Sequence, residues 1–477
     1  MQDRREFIKA TACAVGAAVV GTGHAFAMPV TPEPKKHKLV EGANMHGFVA
    51  PKLDMVRVAV IGIGGRGSDA VRRLSRVPGV KVTALCELIE QKAAAQRDWM
   101  TKNGFETPKL FIGPEAYKEL CDSGICDVVH INTTWITHAT IAIYAMKAGL
   151  HAMVEVPGFR TLDEGWEMVE TCEKMRVHCM LLANCCYDEE AILMRNLARK
   201  RVFDELYHAE GCYLHETRCT WYGQSFLGPD KMFPSLEAVI DHTGASYPLH
   251  AVGPVSLCLD INRGDCMDYL VSMGSKPYGW HEVARRVYGD EAPVSKVQFE
   301  ANDFNSMLIN TKNGKTILIR QCNTTPMPYE RQYKLYGFSG SITARPLRIS
   351  LEKKIDSGAG SWMTEEELEL IRSEHGARLW QQAGEISRIH GGHGGMDYLM
   401  DLRWSYCLRN GLPMDTSVYD LAAWSCLIEL SEKSVRNRSQ TLDIPDFTRG
   451  MWKTNKPESE WTFSQEYLEK NGITNHE

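Results

Sequence analysis

The run Val56-Arg57-Val58-Ala59-Val60-Ile61-Gly62-Ile63-Gly64-Gly65-Arg66-Gly67 decides the fold. Its first six residues form the short β-branched run that is typical of a strand buried in a parallel sheet. A glycine-rich turn follows at once, and residues 68–76 are predicted to be helical. A strand, a G-x-G-x-x-G turn and a helix in this order predict a site for a phosphate group. Gly62 would allow the tight turn, Gly64 would let the backbone approach the ligand, and the helix N-terminus would offer free amides.

Strands and helices alternate after this turn. The sequence predicts strands over residues 80–86, 127–131 and 151–155, and helices over residues 88–103 and from Thr137, as the cap, to residue 147. This alternation predicts a right-handed, doubly wound parallel sheet, the Rossmann fold that binds dinucleotides.

An acidic residue closes the second predicted strand. Glu87 stands 25 positions past Gly62, where a carboxylate accepts hydrogen bonds from ribose hydroxyls and repels a 2′-phosphate. NAD is therefore favoured over NADP. Arg66 could instead pair with a 2′-phosphate, but its place in the turn favours the pyrophosphate. A solvated carboxylate at a strand end is the alternative interpretation of Glu87.

The pattern changes beyond residue 182. Residues 205–215 and 333–343 are strand-like, and Asn313-Gly314 between apolar runs predicts a hairpin. Residues 396–409 and 419–433 are predicted to be amphipathic helices. The predicted fold class is α/β, with an N-terminal Rossmann doubly wound parallel sheet followed by an α+β domain with an open, largely antiparallel sheet. The predicted segments are a signal peptide (1–27), a linker (28–54), the NAD-binding domain (55–182), the substrate-binding domain with helices returning to the Rossmann domain (183–438), and a Trp-bearing, irregular tail (439–477).

The first 27 residues are predicted to be a targeting segment. Arg4-Arg5 precedes Phe7 and a mildly apolar stretch, and Ala25-Phe26-Ala27 has the form of a cleavage site. This resembles a twin-arginine export signal, and an ordinary secretory signal or an anchor is the alternative. We therefore expect an exported, periplasmic or secreted protein without a transmembrane anchor after signal removal.

The net charge and the cysteine content limit the classes of ligand that we expect the protein to bind. The formal charge of −6 lacks the basic excess that nucleic acid binding needs, so a small ligand is favoured. The chain has 15 cysteines but no C-x-x-C pair, which favours buried thiols over disulfides or zinc. His390 and His393 lie among four glycines and could suggest a metal site. Two ligands without a third at a recognisable spacing are weak evidence for such a site. We interpret that loop as backbone packed close to the cofactor or the core.

Several motifs together carry a family resemblance. They are Glu155-Val156-Pro157, Asn184-Cys185-Cys186-Tyr187, Tyr247-Pro248-Leu249-His250 with Gly253-Pro254, Asn262-Arg263-Gly264-Asp265, Asn323-Thr324-Thr325 with Tyr329, and His390-Gly391-Gly392-His393-Gly394-Gly395-Met396-Asp397-Tyr398. With the Rossmann unit, they resemble the superfamily of glucose-fructose oxidoreductase and inositol dehydrogenase. Within it the chain is similar to glycoside hydrolase family 109, whose founding activity is α-N-acetylgalactosaminidase.

One position separates two chemistries within this resemblance. Sugar dehydrogenases of the superfamily usually carry Glu-Lys-Pro, whose lysine assists proton transfer, whereas this chain has Val156. The glycosidase branch is thereby favoured. It implies oxidation of the sugar at carbon 3, loss of the proton on carbon 2, elimination of the aglycone, addition of water and re-reduction. NAD is regenerated in each cycle, which suits an exported enzyme.

The resemblance also implies the site residues. The catalytic set is His250, Tyr187 and Tyr329, with His250 first because histidine titrates near neutrality. The substrate set is Tyr187, Arg218, Tyr247, Pro248, Leu249, His250 and Tyr329. The cofactor set is Gly62, Gly64, Gly65, Arg66, Gly67, Glu87, Trp135, Ile136, Thr137, His138, Glu155, Val156 and Asn184. Taken alone, each tyrosine or histidine is more often a structural group.

Three departures from the family pattern concern the substrate and the ribose. Ser235 lies near the position of an expected arginine, Leu249 replaces a common threonine, and Glu87 replaces an aspartate. Arg218 could substitute for the arginine. Two alternatives to a glycosidase stay open: an exported NAD(P)-dependent sugar oxidoreductase, and a sugar-binding protein with structural NAD. Assembly into a homo-oligomer also stays open.

Overall fold

Six strands form a wholly parallel sheet in the order β3-β2-β1-β4-β5-β6. We describe residues 37, 42–218, 240–353 and 360–473 of the computed structural model. The strands are β1 (Val56–Ile61), β2 (Val80–Glu87), β3 (Lys109–Ile112), β4 (Val128–Ile131), β5 (His151–Val154) and β6 (Cys179–Leu181). All four residues of β4 are buried, because helices cover both faces of the sheet.

Helices connect these strands as the alternation predicts. They are α1 (Gly65–Leu74), α2 (Glu90–Lys102), α3 (Ala116–Asp122), α4 (His138–Lys147) and α5 (Leu162–Met175). Helix α1 starts three residues earlier than predicted, inside the glycine turn. Thr137 precedes α4, but its hydroxyl lies within hydrogen-bond distance of Thr133 Oγ1 (2.8 Å) and Thr134 O (2.9 Å) and caps no amide. The predicted side-chain cap is therefore wrong.

Eight strands form the second sheet, in the order β13-β12-β11-β7-β10-β9-β8-β14. They are β7 (Leu206–Leu214), β8 (Met267–Gly274), β9 (Phe304–Thr311), β10 (Thr316–Cys322), β11 (Lys334–Gly337), β12 (Gly340–Thr343), β13 (Arg348–Leu351) and β14 (Leu442–Asp443). Within this second sheet, only the β7–β10 pair is parallel among the described strands. Burial alternates along β9, as expected for a sheet with one covered face. The predicted fold class is confirmed.

Two local predictions for this sheet differ in outcome. The hairpin at Asn313-Gly314 is present, with Asn310 opposite Thr316 and Gly314 at φ +82°. The predicted strand over residues 333–343 is instead two antiparallel strands, β11 and β12, because the chain turns at residues 338–339.

The remaining helices tie the two sheets together. They are α6 (Glu189–Arg199), α7 (Leu249–Cys258), α8 (Gly279–Tyr288), α9 (Glu365–His375), α10 (Arg378–His390), α11 (Met396–Asn410), α12 (Val418–Arg436) and α13 (Gln465–Lys470). Helix α11 returns to pack on β1 and α1, and α12 packs on α5, β6 and β8. The loop before α11 is thereby brought to the first sheet. Helix α13 lies in the tail that was expected to be irregular.

The predicted N-terminal segments are only partly described. The signal peptide lies outside the described residues. Of the predicted linker, the described part packs on the core rather than forming a free tether: Met45 and Ala50 are buried, and Met45 N donates to the Tyr419 hydroxyl. Among residues that the structure describes, no helix has both the length and the apolar character needed to cross a membrane.

Candidate functional site

The glycine turn packs against the end of β4. Gly62 adopts φ +85°, and a Cβ there would lie 2.7 Å from the Asn132 carbonyl oxygen. A Cβ on Gly67 would lie 1.7 Å from the Gly62 carbonyl oxygen. By contrast, a Cβ on Gly64 or Gly65 would meet no atom within 4 Å. The turn is therefore closed on its inner side and open on the side where a ligand would lie.

The first turn of α1 suits an anionic group. No side chain caps the helix N-terminus at Gly64, and no acidic residue occupies its first turn. Free amides and the positive end of the helix dipole therefore face the open side of the turn. These features fit the pyrophosphate of a dinucleotide.

Glu87 lies at the end of β2 beside this turn. Its Oε2 accepts a hydrogen bond from Ile63 N (2.5 Å), and its Oε1 accepts from Leu88 N (2.8 Å) and Ile89 N (3.2 Å). These bonds hold the carboxylate in place, and its remaining lone pairs can accept hydrogen bonds from ribose hydroxyls. Leu88 and Ile89 are exposed and offer an apolar surface to a base. The predicted ribose contact therefore fits this geometry.

Arg66 lies between two carboxylates. Its Nε donates to Glu155 Oε1 (3.0 Å) and its Nη1 donates to Asp397 Oδ2 (2.8 Å). The guanidinium thereby joins the turn after β5 to the loop before α11. Its side chain is 34% exposed, and its contact with the pyrophosphate stays a prediction.

Asp397 is the centre of this network and was not expected from the sequence. It is fully buried, and it accepts hydrogen bonds from Arg66, Asn184 Nδ2 (2.7 Å) and His393 Nδ1 (2.8 Å). Burial alone would raise its pKa, but His393, Arg66 and Arg73 hold the pKa well below its ordinary value. The His390 to Gly395 loop is therefore fixed to the cofactor side of the molecule, as interpreted from its glycines. No group of three histidine, cysteine or acidic side chains suited to a metal occurs among the described residues.

The segment after β4 lies beside the cofactor turn. Trp135 stacks on Tyr247 with ring centroids 5.5 Å apart, and Ile136 is exposed. His138 is buried, and its ring nitrogens face the carbonyl oxygens of Pro157 (2.7 Å) and Thr133 (3.1 Å). His138 therefore holds the Glu155-Val156-Pro157 turn in place. Val156 is itself buried and brings no ionisable group.

An aromatic and imidazole cluster lies at the end of β7. Tyr213 is its centre, with its ring centroid 5.1 Å from that of Tyr247, 5.5 Å from His250 and 5.6 Å from Tyr329. The Tyr213 hydroxyl lies 2.9 Å from His215 Nδ1. We call Trp135, Tyr213, His215, Tyr247, His250 and Tyr329 the aromatic cluster. It brings together the predicted Tyr247, His250 and Tyr329.

Sequence reasoning missed Tyr213 and His215. Both lie at the carboxyl end of a strand that was predicted over residues 205–215, which is where side chains reach a ligand most often in α/β folds. Their position at the strand end was the available signal.

His250 is neutral in this site. Burial is the main cause that lowers the pKa of His250 to about 3; Glu155 opposes the shift, and the charges of Arg331, His393 and Arg66 add to it. Its Nδ1 has no hydrogen-bond partner among the described residues. The expectation that His250 titrates near neutrality is therefore wrong, because the ring is desolvated and surrounded by cations.

Tyr187 does not belong to the cluster. Its side chain is fully buried, its ring stacks on Trp461 (5.2 Å), and its hydroxyl donates to Asp415 Oδ2 (3.0 Å). The catalytic and substrate roles predicted for Tyr187 are not supported, because the phenol packs into the core. Leu249 is likewise fully buried and cannot line the substrate site through its side chain.

Two further predicted substrate residues, Pro248 and Arg218, lie on either side of residues 219–239. Pro248 is buried and precedes α7. Arg218 donates from Nε to Glu216 Oε1 (2.8 Å) and is the last described residue before position 240. Ser235 lies outside the described residues.

Known proteins resemble both halves of the chain. Residues 56–182 match the family described as "Oxidoreductase family, NAD-binding Rossmann fold", and residues 187–454 match "Glycosyl hydrolase 109, C-terminal domain". An α-N-acetylgalactosaminidase of Bacteroides fragilis is 40% identical over 408 residues, covering 85% of this chain and 95% of that protein. A glycosyl hydrolase family 109 protein of Shewanella pealeana is 37% identical over 456 residues, covering 95% and 98%.

Solved structures share the fold. A levoglucosan dehydrogenase in complex with NADH and L-sorbose has a TM-score of 0.61 at 15% identity, covering 82% of this chain and 100% of that chain. The cofactor turn, the aromatic cluster and these matches agree with the resemblance read from the motifs. The chain belongs to glycosyl hydrolase family 109 and is a glycoside hydrolase built on an NAD-binding Rossmann fold.

Proposed function

We propose that this chain hydrolyses α-linked N-acetylgalactosaminides by transient oxidation at sugar carbon 3, elimination, addition of water and re-reduction. One observation carries the proposal. Three carboxylates of the described residues lie next to the aromatic cluster and all are paired with an arginine: Glu155 and Asp397 with Arg66, and Glu216 with Arg218. Ordinary glycosidases need one free carboxylate and one carboxylic acid across the scissile bond. Among the described residues, the groups that would remain beside the sugar are phenols and imidazoles, which suit proton transfer next to a ketone.

The cofactor would lie on the glycine turn. NAD, when bound there, would supply the acceptor and donor of hydride. Gly64 and Gly65 leave room above the turn, the first amides of α1 would hold the pyrophosphate, and Glu87 would accept hydrogen bonds from the ribose hydroxyls. Asn184 keeps a buried Oδ1 without a partner among the described residues, which a ligand donor can satisfy.

The aromatic cluster would hold the sugar. Rings of Tyr213, Tyr247 and Trp135 offer apolar faces for the sugar, while the half-exposed Tyr329 offers its phenol. His250 is neutral, so its unpartnered Nδ1 can accept a hydroxyl hydrogen without a competing charge. We therefore expect His250 to orient the sugar by accepting a hydrogen bond from its carbon 3 hydroxyl.

The proposal can be tested by hydrolysis in deuterated water. Purified enzyme, without added cofactor, is incubated with 4-nitrophenyl α- and β-N-acetylgalactosaminides. We expect release of nitrophenol from the α-anomer and deuterium at carbon 2 of the free sugar. Release without deuterium at carbon 2 would refute the elimination route. Steady accumulation of NADH would indicate an oxidoreductase, and retained NAD without turnover would indicate a binding protein.

A pair of variants locates the reaction. His250→Gln should lower kcat by about 10²-fold or more while bound NAD is retained, because the imidazole that orients the carbon 3 hydroxyl is lost. His208→Gln is the matched control, since His208 lies on β7 away from the cluster and bonds Thr316 Oγ1 (2.7 Å). Unchanged activity in His250→Gln would remove His250 from the site.

We also propose that the protein is exported through the twin-arginine pathway. The support is Arg4-Arg5 before an apolar stretch and an Ala-x-Ala site. A cofactor that is recycled in place suits a compartment without a cytosolic NAD pool. Cell fractionation of wild type and of a variant with Arg4→Lys and Arg5→Lys tests this proposal. Equal export of both would refute it.

A further inference from the structure

Arg331 is a buried cation beside the aromatic cluster. Its side chain is 3% exposed, and the residue lies between Tyr329 and β11 in the chain. The guanidinium carbon lies 5.6 Å from the centroid of the Tyr329 ring and 5.8 Å from that of the Tyr333 ring. A cation at this distance over an aromatic face is attracted to the ring. Arg331 therefore stands between a phenol of the cluster and a phenol of the core.

Contacts from three other elements fix the guanidinium. Its Nη2 donates to Asp188 Oδ2 (2.7 Å), the buried N-cap of α6, and its Nη1 donates to Met396 Sδ (3.5 Å), at the start of α11. The Arg331 carbonyl oxygen accepts a hydrogen bond from Cys212 N (2.7 Å) on β7, one residue before Tyr213. The positive charge of Arg331 therefore has a fixed place next to the site.

The charge of Arg331 acts on the aromatic cluster. Burial raises the pKa of Tyr213 and of Tyr329, and the charge of Arg331 opposes both rises. The same charge adds to burial in lowering the pKa of His250. A cation has these effects because it favours negative charge and disfavours positive charge nearby. The segment also holds the backbone of the site, because the Tyr333 hydroxyl donates to the His250 carbonyl oxygen (2.6 Å).

Asp188 is shared by two arginines that differ in burial. It accepts hydrogen bonds from Arg331 and from Arg345, whose side chain is 49% exposed and also pairs with Glu190 (3.3 Å). Of the two guanidinium groups, only that of Arg331 contacts a ring of the cluster among the described residues. The chain therefore offers a control for Arg331 that binds the same carboxylate.

The Tyr329 phenol has a hydrogen to donate. The residue is 41% exposed, and its hydroxyl lies 3.7 Å from Cys185 Sγ, which is a weak acceptor. We propose that Arg331 is a positioning residue for Tyr329, which fixes the ring and polarises its O–H bond so that the phenol donates a stronger hydrogen bond to the sugar oxygen at carbon 3. This role rests on the proposed function, in which that oxygen gains negative charge when the proton on carbon 2 is lost. A donor beside developing charge lowers the barrier to the reaction.

Substitution of Arg331 tests this role through the split between kcat and KM. Arg331→Met removes the charge, while Asp188 keeps Arg345. We expect kcat on 4-nitrophenyl α-N-acetylgalactosaminide to fall by about 10–10²-fold and KM to stay within about threefold, because the lost interaction strengthens only as charge develops. Arg331→Lys should recover part of kcat, since it retains a cation. Arg345→Met is the matched control and should keep kcat within about twofold of wild type.

A double-mutant cycle with Tyr329→Phe separates action through the phenol from a structural effect. In the Tyr329→Phe background, Arg331→Met should lower kcat by less than about threefold, because the hydroxyl on which the charge acts is absent. An equal loss in both backgrounds, or the same loss in Arg345→Met, would overturn the role of Arg331. Arg331→Gln gives the same comparison if Arg331→Met loses its bound NAD.

The proposed function has a separate test in the wild type. A wild type that releases no nitrophenol, or releases it without deuterium at carbon 2 in deuterated water, would overturn the proposed function and the role of Arg331 with it. A wild type that incorporates deuterium, together with a cycle that shows no coupling between Arg331 and Tyr329, would overturn the role of Arg331 alone.

Discussion

Replacing Tyr187 by phenylalanine removes one hydroxyl that the structure buries in the core. The hydroxyl donates to Asp415 Oδ2 at 3.0 Å, and Asp415 also accepts hydrogen bonds from Arg403 Nε at 3.1 Å. Losing a buried hydrogen bond to a charged group costs about 1.5–3 kcal/mol. The ring keeps its place on Trp461, and Arg403 still neutralises Asp415. We therefore expect lower stability and a kcat/KM that stays within about threefold of wild type.

Urea unfolding and glycoside hydrolysis measure the two effects separately. Tyr329→Phe is the matched comparison, because it makes the same chemical change in a phenol that is 41% exposed and lies 3.7 Å from Cys185 Sγ. That variant should lose activity with little change in stability. If Tyr187→Phe kept full stability and lost about 10²-fold or more in kcat, its phenol would be a proton-transfer group and our placement of it would be wrong.

Three further predictions concern the cofactor turn and buried histidines. Gly67→Ala should lower the unfolding midpoint, because its Cβ would overlap the Gly62 carbonyl, whereas Gly64→Ala should keep the midpoint and lose co-purified NAD. The same outcome in both variants would contradict the assignment of one closed and one open side to the turn. Glu87→Ser should reduce the preference for NAD over NADP in titrations of NAD-depleted protein, since the charge that repels a 2′-phosphate is gone; an unchanged ratio of Kd values would exclude that contact. Burial lowers the pKa of His151 to about 4 and of His178 to about 3, so the unfolded chain binds more protons than the folded chain near and below pH 6.5. The free energy of unfolding should therefore fall by about 1.6 kcal/mol per histidine between pH 6.5 and 5, which urea unfolding at both pH values can measure. Equal stability at the two pH values would show that these rings are not neutral and buried.

The local parts of the fold were predictable because their causes are local. Gly62 must take a positive φ to turn from β1 into α1, and Asn313-Gly314 must turn a hairpin, so both features are written in a few neighbouring residues. Residue 156 favoured the glycosidase branch over the dehydrogenases for an equally local reason. A valine has no ionisable group, so it cannot assist proton transfer as a lysine does, whatever packs around it. The family matches confirm that branch.

The candidate site was only partly predictable because its contacts join distant parts of the chain. Arg66 and Asp397 are 331 positions apart, and helix α11 must return to β1 before they can meet. The pKa of His250 depends on the cations that the fold places around it, so its ordinary value was misleading.

The sequence by itself determined the nucleotide turn, the two kinds of sheet and the family, because steric limits, periodicity and motifs act over short stretches. Only the tertiary structure decided that Tyr213 rather than Tyr187 faces the site, that Arg66 is neutralised, and that His393 stands against a buried carboxylate. The physical reason is that the direction and ionisation of a side chain depend on what packs against it from elsewhere in the chain.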